Sequence, residues 1–438
     1  MDDGFTTRAI RAATRVPRVD QPPSSVPIYQ AATFASADAD ELGEVTTGRK
    51  PGYVYARLGN PTVDALADAF AALHAADAGF AAATGMAAIH LAVMSQVAAG
   101  DRIVATRALY GTTRSLFSSV LARAGVATTF VDPTDLAAVE AALTGAPTPH
   151  AAPRPHEAAP ALAAVAHARI LYLETISNPT LVVPDLAALA SLAHRHGATV
   201  VVDNTFASPY LCRPLALGAD LVVESATKYL SGHSDVLAGA VAGSRPLIDA
   251  IRAFHVDTGG TLAPFSAFLV LRGIPTLALR MDRHAATAAV LAELLEGAPG
   301  VARVWYPARP SHPQHAVAAR QFAGGGGMLA FELAGGAAAG RAFIDALRIP
   351  ERTASLGSIH TIVVHPPSTT HRQLTPAQLA DAGIAPGFLR VSVGLEDAAD
   401  LVADVEGALA AARAAADTAA ASAASAAVAA TPATPATA

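Results

Sequence analysis

Four short apolar runs, DRIVAT, ARILYLE, ATVVVDN and DLVVESA, recur between residues 101 and 226, each bounded by turn signals. They are nearly continuous rather than alternating, which suits strands buried on both faces of a parallel sheet. Helical stretches such as LAALASLAHRHG lie between them, and Gly197 marks the end of that helix. Further upstream, NPTVDALADAFAALHA predicts a helix with Asn60 as N-cap and Pro61 at its first position. AGFAAATG follows as a small-residue strand that leads into Thr84 and Gly85, and MAAIHLAVMSQVA predicts the next helix. Strands alternating with helices predict an α/β fold with a large, doubly wound, mostly parallel sheet.

A chain of 438 residues is too long for one compact core. Residues 1–59 carry Pro17, Pro22, Pro23, Pro27 and a GRKPG turn without sustained periodicity, and predict an extended arm. The large domain is expected over 60–279, with a Pro/Ala-rich surface insertion at 145–160, where His150 and His156 form no metal-ligand pattern. A smaller C-terminal α/β domain is expected over 280–415, opening on RMDRHAATAAVLAELLEG and containing the strands GGMLAFEL and FLRVSVG. The low-complexity stretch 416–438 predicts a disordered tail.

Net charge is −6 and no Lys/Arg cluster is visible, so nucleic acid is not an expected partner. Cys212 is the only cysteine, which rules out an intrachain disulfide and a cysteine-rich metal site and suits a reducing compartment. No metal is expected. The opening MDDGFTTRAIRAATR has no apolar core of a secretory signal, and no strongly apolar run reaches membrane-spanning length. A soluble cytoplasmic protein is the expectation.

Lysine is the scarcest informative residue: the chain holds only Lys50 and Lys228. Lys50 sits in a Gly/Pro-rich turn, whereas Lys228 follows a strand pattern in SATKYLSGHSD, beside Ser225 and Thr227. Two hydroxyls suit a phosphate while the amine forms an imine with an aldehyde. An exposed surface lysine is the plain alternative. Asp203 ends the strand in ATVVVDNTF, where α/β folds place ligand-binding groups, and its carboxylate suits a pyridinium nitrogen; a turn residue would look the same. Gly85 permits close backbone approach at the start of the helix opened by Met86, and helix N-terminal amides bind phosphate. Tyr110, in LYGTTRSLF, suits stacking on a ring and proton transfer, or plain packing. Tyr55 and Arg57 at i, i+2 point one way if YVYARLGNPT is extended, and suit a phosphate; an ordinary turn is the alternative. Arg390, in a Leu/Val strand, needs a partner, either a substrate carboxylate or a structural ion pair. There is no P-loop, and no dinucleotide glycine fingerprint between a strand and a helix.

Taken together, YARLGNPT, ATGMAAI, LYGTT, ETISNP, VVVDNTFASPYLCRPLALGADLVVESATKYLSGHSD, LALRMDRH, GGMLAFEL, SLGSIHTIVVHP and LRVSVGLED resemble the Cys/Met-metabolism, or trans-sulfuration, family of pyridoxal-5′-phosphate (PLP) enzymes. The resemblance runs in order from about residue 25 to 410. It implies a fold-type I PLP enzyme, assembled as a homotetramer of two catalytic dimers that share sites between subunits. Lys228 would form the Schiff base and Asp203 would hold the pyridine nitrogen. Gly85, Met86, Ser225 and Thr227 would bind the phosphate, with Tyr55 and Arg57 reaching that of a neighbouring subunit. Tyr110 would stack on the ring, and Asn178, Ser355 and Arg390 would position the substrate carboxylate.

The family breaks or forms bonds at Cγ of sulfur-containing or homoserine-derived amino acids. Residues 195–335 look most like methionine γ-lyase and HPPSTTHRQL most like the O-acetyl- and O-succinylhomoserine sulfhydrylases. Methionine γ-lyases carry Cys where Thr112 stands, and cystathionine enzymes carry Glu where His360 stands. The order of expectation is a carbon–sulfur lyase of the methionine γ-lyase type, then a sulfhydrylase, then cystathionine chemistry.

Overall fold

The computed structural model describes residues 4–14, 23–145, 168–372 and 374–429. The expected insertion beyond Gly145 and the last residues of the tail lie outside the described residues. The chain divides into two compact units. The first comprises Met1–Asn178, Val182–Asp282 and Ala316–Gly326; the second comprises Pro179–Leu181, Arg283–His315 and Gly327–Ala438.

The first unit holds a seven-stranded sheet. Its strands are β1 (Ala78–Ala82), β2 (Arg102–Thr106), β3 (Ala127–Val131), β4 (Ala168–Glu174), β5 (Thr199–Asp203), β6 (Leu221–Glu224) and β7 (Gly239–Gly243). Their spatial order is β1-β7-β6-β5-β4-β2-β3. All neighbours from β3 to β6 run parallel, and β7 alone runs against both of its neighbours. This is the mostly parallel α/β architecture expected. The central strands are apolar because both their faces are covered: Ile170, Leu171, Val201, Val202, Leu221 and Val222 are all buried. Each such side chain stabilises the fold by roughly 1.5–3 kcal/mol through burial.

Two strands escape the apolar pattern for opposite reasons. In β3, ATTFV carries two half-buried positions, as an edge strand can. In β7, GAVAG is small because it must be: a Cβ on Gly239 would run into the backbone carbonyl of Thr84 and into Ala88.

Helix α3 (Pro61–His74) starts as expected, with Asn60 Oδ1 accepting from Thr62 N at 3.0 Å and Pro61 at the first position. Asn60 Nδ2 also donates to Tyr29 O at 2.8 Å, tying the preceding arm to this helix. That arm is not wholly extended. It contains α1 (Phe5–Ala13), which buries Ala9 and Ala13, and α2 (Ala39–Thr46), where Asp38 accepts from Glu41 N at 2.8 Å. An N-cap and two acidic residues in the first turn are enough to start α2 between Pro- and Gly-rich stretches.

The second unit has a four-stranded, fully antiparallel sheet. Its strands are β8 (Val301–Trp305), β9 (Met328–Leu333), β10 (Ile362–Val364) and β11 (Phe388–Ser392), in the order β10-β11-β9-β8. Leu291, Tyr306, Phe331, Phe343, Leu389 and Leu401 lie in its core. The last helix, Ala398–Ala429, corrects the expectation of disorder from 416: it stays helical to Ala429. Alanine costs least to hold in a helix, and no proline or glycine falls between Gly407 and Pro432.

Candidate active site

The carboxyl ends of β4, β5 and β6 bring the chemistry of the first unit together, as open parallel sheets do. Glu174 and Asp203 end β4 and β5 in register. Thr205 locks Asp203: its Oγ1 donates to Asp203 Oδ1 at 2.5 Å, and its backbone N–H to the same oxygen at 3.0 Å. The Tyr172 hydroxyl donates to Asp203 Oδ2 at 3.3 Å. Burial pushes the Asp203 carboxyl up in pKa, while the Thr205 and Tyr172 hydrogen bonds pull it back. A cation across from it would restore the ionised form, which is what a protonated pyridine offers.

Glu174 was not among the candidate residues, although it ends the apolar run ARILYLE and opens the motif ETISNP. Its Oε1 accepts from Tyr110 N at 2.7 Å and its Oε2 from Asn178 N at 3.1 Å. Burial, then the neighbouring Asp203, hold it well above the ordinary glutamate value. One carboxyl thus ties together the two loops that carry Tyr110 and Asn178. The Tyr110 ring itself stands 45 % exposed.

The phosphate candidates meet one another. Helix α4 (Gly85–Met94) is capped by Thr84, whose Oγ1 accepts from Ala87 N at 3.0 Å. A Cβ built on Gly85 would lie 2.7 Å from Ser225 Cβ and 2.9 Å from its Oγ. Only glycine lets the helix start close on Ser225. Ser225 N donates to Thr205 Oγ1 at 2.9 Å, so the loop after β6 is coupled through Thr205 to Asp203. Thr227 Oγ1 accepts from Ala238 N at 3.0 Å. Lys228 follows within the same turn, its N–H donating to Ser225 O at 3.1 Å, and the residue is half-buried. Met86 Sδ lies 3.9 Å from Thr113 Oγ1.

On the opposite face of the sheet, Asn204 Nδ2 donates to Glu224 Oε1 at 2.8 Å and to Cys212 O at 3.0 Å, while its Oδ1 accepts from Thr175 Oγ1 at 2.7 Å. His74 Nε2 lies 3.1 Å from the same Glu224 oxygen. Burial lowers the His74 pKa to about 3 and raises that of Glu224 well above the usual carboxylate range. This polar layer stiffens the strand ends from behind.

Tyr55 and Arg57 are placed differently from the extended reading. After its bridge to Thr33, the chain turns at Tyr55, whose carbonyl accepts from Leu58 N and Gly59 N. The Arg57 guanidinium lies over the Tyr55 ring at 5.6 Å and donates to the Val256 carbonyl near the end of the helix Arg245–Thr258. Both side chains are exposed. In the second unit, Arg390 is buried on β11 and its Nη2 donates to Ser355 O at 2.8 Å. His360 is exposed. Among the described residues, no group of His, Cys, Asp and Glu could hold a metal ion, and no helix is long and apolar enough to cross a membrane.

A helix start that tolerates no side chain, two hydroxyls, a lysine and a buried aspartate coupled through one threonine fit a phosphorylated pyridine aldehyde. The fold is that of a fold-type I PLP-dependent enzyme. The chain belongs to the Cys/Met metabolism PLP-dependent enzymes, whose family pattern matches residues 6–149 and 155–410. It is 43% identical over 410 residues to an L-methionine gamma-lyase of Pseudomonas putida, a likeness covering 93% of this chain and 98% of that one. It is 39% identical over 407 residues to an O-succinylhomoserine sulfhydrylase of Pseudomonas aeruginosa, covering 93% and 95%. Among solved structures, a cystathionine gamma synthase of Xanthomonas oryzae pv. oryzae superposes with a TM-score of 0.84 at 37% identity, covering 94% of this chain and 100% of that one.

Proposed function

We propose that the chain is a PLP-dependent carbon–sulfur lyase of the methionine γ-lyase type, with Lys228 as the lysine that carries the cofactor. The observation that carries this reading is the near full-length likeness to proteins named L-methionine gamma-lyase, together with Lys228 standing in the turn that follows β6, beside Ser225 and Thr227.

When bound, the cofactor supplies an aldehyde for the substrate nitrogen and a ring that takes up electrons as a proton leaves Cα. The chain supplies the rest. The amides of Gly85 and Met86 and the hydroxyls of Ser225 and Thr227 bind the phosphate. The Asp203 carboxylate holds the ring N–H. Tyr110 covers the ring and moves a proton at the departing γ-substituent, while the Lys228 amine moves the one at Cα. Asn178, Ser355 and Arg390 orient the α-carboxylate; Arg390 presents a fork suited to a bidentate pair. Water entering after departure gives the 2-oxo acid and ammonia; a thiol or sulfide entering instead gives γ-replacement.

The working form is proposed as a homotetramer built of two dimers. Large apolar side chains, among them Tyr55, Leu58, Leu237 and Phe265, stand exposed on the first unit and suit burial against a second copy. Exposed Tyr55 and Arg57 would then reach the phosphate of the partner's site. The large domain is assigned to 60–279 and the small one to 280–415, in the cytoplasm.

The second reading, an O-acylhomoserine sulfhydrylase, is favoured by HPPSTTHRQL and by the likeness to the Pseudomonas aeruginosa protein. Purified enzyme is incubated with L-methionine, then with O-acetyl- or O-succinylhomoserine plus sulfide. Methanethiol release from methionine is the expected result. Homocysteine formation from an ester without methanethiol release would assign the sulfhydrylase instead.

A further inference from the structure

The motif LALRMDRH contributes a residue that the reaction scheme above does not use. Arg280 is buried, only 4% exposed, and no carboxylate pairs with it among the described residues. Its guanidinium is spent on neutral oxygens. Nη1 donates to Tyr229 O at 2.6 Å, Nη2 to Gly273 O at 2.9 Å and Leu230 O at 3.3 Å, and Nε to Thr276 Oγ1 at 3.1 Å. Tyr229 and Leu230 directly follow Lys228.

The turn around Lys228 also holds itself through its own backbone and Ser231. The Lys228 carbonyl accepts from Gly232 N at 2.8 Å and from Ser231 Oγ at 3.3 Å; the Thr227 carbonyl accepts from Ser231 Oγ at 2.9 Å. The next two carbonyls accept from Arg280. Two glycines make room for this. A Cβ on Gly232, which stands at φ +75°, would collide with the Arg280 guanidinium, and one on Gly273 would collide with the carbonyls of Leu230 and Ser231. Burial lowers the guanidinium to about 10, so it stays charged at neutral pH. A buried cation without a counter-ion is costly, and its N–H groups stay fixed on their acceptors.

We propose that Arg280 is a positioning residue that clamps the backbone just after Lys228 and so sets where the lysine amine meets the cofactor aldehyde. This rests on Lys228 being the lysine that carries the cofactor. The clamp spans the helix Pro264–Gly273, the turn that follows it and the Lys228 turn with one planar fork, which a single ammonium cannot reproduce. A small displacement of a reacting group is enough to slow its reaction by one to two orders of magnitude.

The test uses cofactor-free full-length protein in four forms: unaltered, Arg280→Gln, Arg280→Lys and Lys228→Ala. Binding of pyridoxine 5′-phosphate, which has no aldehyde, is measured by fluorescence, and covalent attachment of PLP by the rate at which visible absorbance develops. Unaltered affinity for pyridoxine 5′-phosphate, within about threefold, is expected in both Arg280 forms, with attachment slowed by about tenfold or more. In the reconstituted enzymes kcat falls while KM for the amino acid stays nearly constant. Attachment at the unaltered rate in either Arg280 form overturns the proposal, as does a parallel loss of pyridoxine 5′-phosphate binding, which would make the clamp merely structural. Full attachment in Lys228→Ala overturns the lysine assignment instead, so the two failures are distinguishable.

Discussion

Glu174 and Asp203 stand side by side at the ends of β4 and β5, and their surroundings set them different tasks. Asp203 takes its hydrogen bonds from Thr205 and Tyr172; Glu174 takes its own from the backbone N–H groups of Tyr110 and Asn178. Glu174→Ala would leave two N–H groups without their acceptors, at a cost of about 1–3 kcal/mol each if they stay dry. A urea melt is expected to show that loss, and a cofactor titration weaker PLP binding as the Tyr110 loop loosens. Unchanged stability and affinity would mean that the loops are held by something else. His74 gives a pH prediction. Unfolded, it takes up a proton near the ordinary histidine value of 6.5; folded, not until about 3. The unfolded state therefore binds more protons in between, and stability falls as pH drops through that window. From pH 6.5 to 5 the loss is about 1.6 kcal/mol. Urea midpoints at these two pH values should differ less for His74→Leu than for the unaltered chain. Asp203 and Lys228 were legible as candidates because a strand end and a lysine scarcity single them out. Glu174, Thr205 and Arg280 were not, since their roles lie in backbone groups that no sequence pattern displays.

At the scale of elements, the start of α4 and the turn after β6 form one cradle, and Gly85 is the point where they touch. Gly85→Ala would press a methyl group against Ser225 and move the helix amides away from the phosphate position. The chain should remain folded by circular dichroism while its affinity for PLP drops about tenfold or more, the equivalent of one lost charge-assisted hydrogen bond. Retained affinity would contradict the cradle. The central strands β2, β4, β5 and β6 were readable because both their faces are buried. β7 was not, because Gly239 is dictated by the Thr84 carbonyl rather than by hydrophobic pattern. α1 and α2 were hidden by the prolines and glycines around them, and the final helix outran its expected end because alanine needs no packed face to remain helical.

At the scale of the whole molecule, the proposed dimer joins two copies of the chain through the exposed arm bearing Tyr55 and Arg57. Arg57→Ala and Lys228→Ala chains, each nearly inactive alone, should regain activity when unfolded together and refolded. Random pairing leaves one intact site in each mixed dimer, so about a quarter of the unaltered activity is expected. No recovery, with mixed oligomers present, would place Arg57 within its own subunit's site, and an Arg57→Ala chain active on its own would place it outside the chemistry. The family and its fold are legible from end to end in the chain's motifs, whereas no single motif separates elimination from replacement, and the substrate assay decides between them.

The central claim is that one particular amine carries the cofactor, and the chain offers only two. Reducing the PLP-loaded protein with borohydride, digesting it and locating the pyridoxyl group by mass spectrometry tests that claim directly. The group is expected on Lys228 in SATKYLSGHSD. A pyridoxyl group on Lys50 alone, or none on either lysine, would contradict it.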